Sequence, residues 1–236
     1  MSAEKNAVLL LAAGSGTRMQ GTIEDKILAP LHGRPVFSHS FRAFAESDLI
    51  HTICIVYRDE AQKRQLHAAL DTSAQAEVLW VRGGRERQDS VLSGLRALPA
   101  DTGHTLIHDC ARPLISADLI DQLIETSRSD GASCLAHPVT DTIKRIPSAD
   151  QIEQTELEDL QRDRLWAMET PQAFSHAAIL KAYEHVAAEN VPITDDCAAA
   201  ASIGIKTTLI PNPNPNPKIT TRADLDYINY LLDARS

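Results

Sequence analysis

The chain has 236 residues, 43% of them hydrophobic, and a formal net charge of −9 at pH 7. This length suits one large α/β domain or two small ones with a buried core, and the composition excludes disordered and fibrous classes. The acidic balance argues against general binding to nucleic acid or to anionic membranes. A polyanionic ligand therefore needs a local cluster of cations.

The four cysteines are far apart in the sequence and form neither a CxxC pair nor a zinc-binding spacing. Such cysteines are typical of small buried side chains in a reducing compartment. No apolar stretch is long enough to span a bilayer, and the first residues do not have the pattern of a signal peptide. We therefore expect a cytoplasmic protein without membrane contacts.

Apolar runs alternate with amphipathic segments as far as Pro138. The sequence predicts strands at 7–12, 50–57, 77–81, 104–108 and 132–136, and helices at 36–46, 60–70, 87–98 and 117–128. This alternation indicates an α/β fold with a doubly wound, mostly parallel, Rossmann-like sheet that is covered on both faces. Ligands of such sheets bind beyond the carboxyl ends of the strands, so the site is expected in the loops that follow them.

The alternation stops after Pro138, where a charged segment without a helical apolar stripe begins. Residues 139–170 are expected to form a protruding β-arm within a single domain that spans 1–236. Beyond the arm, the sequence predicts helices at 175–188 and about 195–202, a strand at 206–210 and a helix near 222–232. The repeat "PNPNPNP" between the last two elements predicts a stiff, extended connector.

A turn rich in small residues, "AAGSGTRMQ", follows the first strand. It lacks the third glycine of the dinucleotide fingerprint, where Met19 stands, and the lysine of a P-loop. Its backbone can approach a ligand closely and form an anion-binding nest, through Ala12, Ala13, Gly14 and Gly16. Arg18 and Lys26 add cations that suit a transferring phosphoryl group. Taken alone, the segment also fits a tight turn with solvated basic side chains.

A second glycine-containing segment, "RGGRERQDSV", begins at Arg82 and follows a predicted strand. The backbone near Gly83 could contact a base or a phosphate, with the Ser90 hydroxyl in the first helical turn. The alternative is a plain loop whose helix cap is Asp89 or Ser90.

The segment "HDCARP" stands at the end of a hydrophobic strand. Asp109 is a candidate ligand of Mg(2+), with substrate phosphates as the other ligands, and Pro113 restrains the nearby Arg112. Cys110 is not expected to be a nucleophile, because neighbouring side chains on a strand face opposite ways.

The order of these segments resembles one known family. The chain carries "LAAGSGTRM", "GGRERQDSVLSGL", "HDCARP", "PVTDTIKR", "LWAMETPQAF", "ITDD" and "PKITTRADL" in the order found in 2-C-methyl-D-erythritol 4-phosphate cytidylyltransferases. The likeness runs from about residue 6 to residue 232. It implies a Mg(2+)-dependent enzyme of the non-mevalonate isoprenoid route that joins CTP to a polyol phosphate and releases pyrophosphate.

The resemblance also implies roles for the nucleotide-binding residues. Ala12, Ala13, Gly14 and the Gly83–Ser90 segment would surround cytosine and ribose. Arg18 and Lys26 would stabilise the pentacoordinate α-phosphate. Acidic Glu24 and Asp25 would weaken this field unless their side chains point away from it.

On the acceptor side, the resemblance implies that Asp109 and Arg112 face the substrate and the metal-bound phosphates, with Thr142 beside them. Arg162, favoured over Arg164 by its spacing to "LW", and Lys218 would position the acceptor phosphate. Hydroxyl contacts would come from Thr170 and Thr194.

In this family the arm reaches into a second subunit, so the resemblance implies a homodimer with arm exchange in which Arg162 serves its partner's site. Two alternatives stay open on the sequence. One is a cytidylyltransferase for another polyol phosphate, such as ribitol 5-phosphate. The other is a nucleotide-binding module without catalysis, although pure binding would not require Arg18, Lys26, Asp109 and Lys218 together.

Overall fold

The computed structural model describes residues 5–14, 25–70, 75–150 and 152–234, and it confirms the predicted alternation of strands and helices. As far as Pro138 the elements are β1 (Lys5–Leu11), β2 (Pro30–Leu31), β3 (Arg34–Pro35), α1 (Val36–Ala45), β4 (Ile50–Tyr57), α2 (Glu60–Ala68), β5 (Glu77–Arg82), α3 (Arg87–Ala97), β6 (Thr102–Asp109), α4 (Ala117–Asp130) and β7 (Ala132–Pro138). The hairpin of β2 and β3 was not predicted, because each strand has only two residues.

After Pro138 the chain first forms a small antiparallel pair, β8 (Lys144–Arg145) and β9 (Glu158–Asp159). The remaining elements are β10 (Trp166–Ser175), α5 (His176–Glu189), α6 (Asp196–Ser202), β11 (Thr208–Pro211) and α7 (Arg222–Asp233). Residues 166–170, which were predicted to belong to the arm, are instead the first half of β10.

The main sheet has seven strands in the order β11-β7-β10-β6-β1-β4-β5. Strand β10 lies between β6 and β7 and is antiparallel to both, whereas the other neighbouring pairs are parallel. The predicted mostly parallel α/β sheet is therefore confirmed. The inserted β10 brings the segment after the arm into the centre of the sheet.

Helices cover both faces of the sheet, which explains the continuous apolar strands. In β1, Val8 and Leu10 belong to one core cluster, while Ala7 and Leu9 belong to the cluster on the opposite face. All four side chains are fully buried. Because both faces of this strand are buried, apolar and polar residues do not alternate along its sequence.

The carboxyl ends of the central strands meet at one edge. The Ala12 N–H donates to Val56 O at 2.9 Å, and the Gly83 N–H donates to Tyr57 O at 2.7 Å. The chain after β6 is fixed to β1 in the same way, by the Cys110 N–H on Leu11 O. Three of the predicted site loops are thus attached to neighbouring strand ends. Within the described residues, none of the helices has the length and apolar character needed to cross a membrane.

Candidate active site

A cavity of about 390 Å³ opens at this edge of the sheet. Seven of the residues singled out in the sequence lie on its wall, namely Ala12, Ala13, Gly14, Lys26, Ser90, Asp109 and Lys218. Lys26 and Lys218 are 192 positions apart in the sequence, so the fold itself brings the two ammonium groups to one cavity. Gly16 and Arg18 lie outside the described residues.

Asp109 is the anion to which the cations of the cavity are attached. Its Oδ2 accepts a hydrogen bond from Lys218 Nζ, and its Oδ1 lies 3.5 Å from Arg87 Nε. Burial alone would raise the pKa of Asp109. The charges of Arg87 and Lys218, with the hydrogen bond from Lys218, outweigh burial and hold this pKa well below its ordinary value. Asp109 is therefore ionised at neutral pH.

Arg87 is fixed by a second carboxylate. Its two terminal nitrogens donate to Asp196 Oδ1 at 2.8 Å and to Oδ2 at 2.7 Å, in the bidentate geometry that a guanidinium favours. Asp196 is fully buried and also accepts a 2.5 Å hydrogen bond from the Tyr183 hydroxyl. Arg87 is therefore a rigid cation on the cavity wall.

Lys26 is tied to the segment that carries Lys218, because its Nζ donates to Ile219 O at 2.9 Å. The acidic neighbour Asp25 is 7% exposed and is occupied by other groups. Asp25 Oδ2 accepts from Gln62 Nε2 at 2.6 Å and from Arg58 NH1 at 3.3 Å. The carboxylate that could oppose Lys26 is thus held by Arg58 and Gln62.

The loop before α3 explains the glycine at position 83. A Cβ at Gly83 would lie 2.8 Å from Ala13 Cβ and 2.8 Å from Ser90 Oγ, distances that side chains do not adopt. Ser90 folds the loop, since its hydroxyl accepts from the Gly84 N–H at 3.1 Å and donates to Glu86 O at 3.1 Å. Gly83 therefore lets this loop pack closely against the turn after β1.

The expected cap of α3 at Asp89 or Ser90 was wrong. The helix begins at Arg87, so the cap position falls on Glu86. Asp89 instead accepts from the Glu86 N–H at 3.0 Å, as the third helical residue of a capping box does. The predicted start of this helix at residue 87 is confirmed, and it places Arg87 at the cavity.

Arg112 and Thr170 lie behind the cavity wall. The Arg112 guanidinium donates to Asn216 O at 2.8 Å and lies 3.5 Å from Met168 O. Thr170 Oγ1 accepts from the Asp109 N–H at 3.1 Å and lies 3.2 Å from Nδ1 of His108. Both side chains support the wall that carries Asp109 and Lys218, and their expected substrate contacts stay predictions.

His108 is fully buried, which lowers its pKa to about 4. The Nε2 of this neutral ring lies 3.1 Å from Arg112 O, and its Nδ1 faces Thr170 Oγ1. These contacts match an Nε2–H tautomer that donates to Arg112 O and accepts from Thr170. His108 is thus a structural group without access to a substrate.

Three further predicted residues do not line the main cavity. Thr194 lines a smaller neighbouring recess of about 130 Å³, which shares Glu86 and Arg87 with the cavity. Thr142 and Arg162 are exposed on the arm, where Arg162 NH1 donates to Thr140 O at 3.0 Å. Their expected contacts with substrate stay predictions.

The structure adds cations that the sequence did not single out. Arg58, Arg85 and Arg87 line the cavity together with the two lysines. Arg58 directly follows β4, and the position of that loop beyond a strand's carboxyl end was the available signal. Arg85 and Arg87 belong to a charged run that looks like a solvated loop in the sequence.

Asp109 and Glu86 are the carboxylates that line the described part of this cavity, and Asp109 is the one predicted to bind a metal. The described residues contain no group of three or more histidine, cysteine or acidic side chains placed to bind a metal ion. Magnesium is commonly bound by one or two carboxylates together with substrate phosphates and water. The donor set therefore fits Mg(2+) carried by a phosphate ligand and does not fit an all-protein metal site.

A Rossmann-like sheet with a glycine-containing, cation-lined cavity at its carboxyl edge defines the chain as a nucleotidyltransferase. A model of the 2-C-methyl-D-erythritol 4-phosphate cytidylyltransferase family matches residues 6–234. The chain belongs to this family.

Individual relatives agree with this assignment. The 2-C-methyl-D-erythritol 4-phosphate cytidylyltransferase of Alkaliphilus oremlandii is 36% identical over 234 residues, which cover 98% of this chain and 96% of the relative. The enzyme of the same name from Synechococcus sp. (strain WH7803) is 36% identical over 218 residues, covering 92% and 95%. The crystal structure of 4-diphosphocytidyl-2C-methyl-D-erythritol synthase from Anaerococcus prevotii superposes with a TM-score of 0.81 at 27% identity, covering 98% and 96%.

Proposed function

We propose that this enzyme transfers the CMP moiety of CTP to 2-C-methyl-D-erythritol 4-phosphate, giving 4-diphosphocytidyl-2-C-methyl-D-erythritol and pyrophosphate. The observation that carries the proposal is the convergence of Lys26, Arg87 and Lys218 on one cavity lined by Ala12–Gly14. A chain with a net charge of −9 gathers cations at this place, where a triphosphate needs them. Membership of the family supports the same substrates.

The reaction needs no nucleophile from the protein. An oxygen of the acceptor's phosphate forms a bond to the α-phosphorus of CTP, and the bond to the bridging oxygen of pyrophosphate breaks. The enzyme supplies alignment and positive charge for the oxygens of the transition state. Cys110 is fully buried, and burial raises the pKa of its thiol well above the ordinary value, so it does not attack.

Within this proposal, Ala12, Ala13, Gly14 and Ser90 bind the nucleoside, and Lys26 with Arg18 neutralises the α-phosphate. Lys218 orients the acceptor phosphate. Asp109 would hold Mg(2+) together with the bound triphosphate, and the metal would supply positive charge for the leaving pyrophosphate.

A steady-state assay of pyrophosphate release from CTP tests the function. We expect turnover with 2-C-methyl-D-erythritol 4-phosphate to exceed turnover with ribitol 5-phosphate. Lys218→Ala and Lys26→Ala should each lower kcat at least roughly a hundredfold with the circular dichroism spectrum unchanged. Faster turnover with ribitol 5-phosphate would show that this compound is the acceptor. Near-normal kcat in both variants would favour a nucleotide-binding module without catalysis.

The proposal includes a homodimer in which the arm reaches the partner's site. Three exposed apolar side chains, Ile143, Ile152 and Leu157, belong to the arm segment, and a second subunit would cover them. Arg162 is exposed on this arm and does not line the cavity of its own chain. A cytoplasmic location is proposed as well, supported by the four free cysteines.

Mixing two inactive variants tests the shared site. Arg162→Ala and Lys218→Ala are dissociated, mixed in equal amounts and reassociated. One site of each heterodimer then has both native residues, so about a quarter of wild-type activity should return. A mixture that stays as inactive as its components, or a fully active monomer by light scattering, would contradict arm exchange.

A further inference from the structure

The connector "PNPNPNP" is held to the sheet by its asparagine side chains. Proline has no N–H, so a segment with proline at every second position forms few backbone hydrogen bonds. Asn212 and Asn216 are 8% and 4% exposed, whereas Asn214 between them is exposed. We call residues 211–219 the strap, because it runs from the end of β11 to the cavity.

Both buried asparagines reach the same carboxylate. Asn212 Nδ2 donates to Glu169 Oε2 at 2.9 Å, and Asn216 Nδ2 donates to the same oxygen at 3.0 Å. The other oxygen, Oε1, accepts from His137 Nδ1 at 2.6 Å. Glu169 is 2% exposed in β10, so these three donors replace the water that its carboxylate loses on burial.

The same asparagine links the carboxylate to the cavity wall. Asn216 Nδ2 also donates to Thr170 O at 3.1 Å, and Asn216 O accepts from Arg112 NH1 at 2.8 Å. Two residues further on is Lys218, whose ammonium reaches Asp109. The backbone before Lys218 is thus fixed by Glu169 and Arg112.

The backbone after Lys218 is fixed as well. The Ile219 N–H donates to Ala111 O at 2.8 Å, and Ile219 O accepts from Lys26 Nζ. The strap therefore determines where both lysines meet in the cavity. Lysine has a long, flexible side chain, so its ammonium is well placed only if the backbone that carries it is held.

We propose that Glu169 is a positioning residue for phosphoryl transfer, which acts through Asn212 and Asn216 to hold Lys218 and Lys26 at the reacting phosphates. This inference rests on the proposed function and adds to it a residue that does not line the cavity. A misplacement of about 1 Å can lower a rate by roughly a hundredfold, so the loss of one anchor is measurable in kcat. It also gives the asparagines of the repeat a role that composition alone did not predict.

The test is a double-mutant cycle between Glu169 and Lys218. Glu169→Gln keeps the size of the side chain, but it removes the negative charge and places an NH2 group opposite one of the three partners of the carboxylate. We expect kcat to fall at least about tenfold with the KM for CTP nearly unchanged. In a Lys218→Ala background the same substitution should lower kcat clearly less than in the wild-type background, because only its effect through Lys26 remains.

Ser133→Ala is the matched control. Its buried hydroxyl donates to Leu123 O at 2.7 Å and is not bonded to the strap, so this variant should lose stability but keep kcat. If Glu169→Gln does not fold, Asn216→Ala serves in the same cycle. Equal losses of kcat with and without Lys218 would overturn the positioning role. Normal turnover of Lys218→Ala alone would instead refute the proposed function of the cavity.

Discussion

Replacing Arg87 by alanine should destabilise the protein far more than replacing an exposed arginine of the same helix. Arg87 is the cationic partner of Asp196, which is fully buried and also accepts a hydrogen bond from the Tyr183 hydroxyl. Removal of one member of a buried pair costs about 3–5 kcal/mol, because the other charge stays buried without compensation. The Arg87 side chain is 34% exposed, so water can partly reach the vacated space and the lower end, about 3 kcal/mol, is expected.

The measurement is urea unfolding followed by circular dichroism at pH 7. Arg96→Ala is the control, since Arg96 pairs with Glu184 at 3.4 Å while both side chains are at least half exposed. Such a surface pair contributes about 0–1 kcal/mol. Arg87→Lys should recover only part of the loss, because an ammonium cannot make the two parallel hydrogen bonds to Asp196. Equal unfolding free energies for Arg87→Ala and Arg96→Ala would refute the argument.

Two further predictions concern pH and close packing. The pKa of His108 is about 4 in the folded protein, below its ordinary 6.5, so the unfolded chain binds more protons between these values and stability falls as the pH drops. From pH 7 to pH 5, His108 should lower the free energy of unfolding, measured with urea, by about 2 kcal/mol. In His108→Asn the unfolding free energy should depend less steeply on pH. Parallel curves of unfolding free energy against pH for the two proteins would contradict this. Gly83→Ala should raise the KM for CTP at least about tenfold and destabilise the fold by about 1–3 kcal/mol, because the added Cβ would overlap with Ala13 and Ser90. An unchanged KM would show that the loop can move to accommodate the Cβ without affecting CTP binding.

Most strands and helices of the fold could be predicted from the sequence, because both-sided burial produces unmistakable apolar runs. The strand predicted at 50–57 coincides with β4. The helix predicted at 117–128 ends two residues before the last residue of α4. β10 was not located because its residues include Glu169, Thr170 and Gln172, which are polar but buried. Their partners come from other segments, so no local pattern reveals that they belong inside a sheet.

The candidate site was predictable only in part, for the same reason. The resemblance assigned Lys26 and Lys218 to one site. Lys26, however, is bound to the segment of Lys218 through the backbone oxygen of Ile219, which carries no sequence signal. Arg87 was missed because charged runs are usually solvated. Its role becomes visible only when Asp196, 109 positions away, is seen to bind it.

The pairing of Lys218 with Asp109 suits a site that must accept a polyanion. Lys218 and Arg87 are both held at Asp109, so this carboxylate offsets a repulsion that would otherwise spread the cations apart. An ammonium has three hydrogens, and Lys218 can keep one on Asp109 while donating the others to a phosphate. Under the proposed function, Asp109→Asn should therefore lower kcat in the pyrophosphate-release assay, even though it removes negative charge from the cavity. A rate that rises in Asp109→Asn would show that net positive charge, rather than the fixed position of Lys218, limits the reaction.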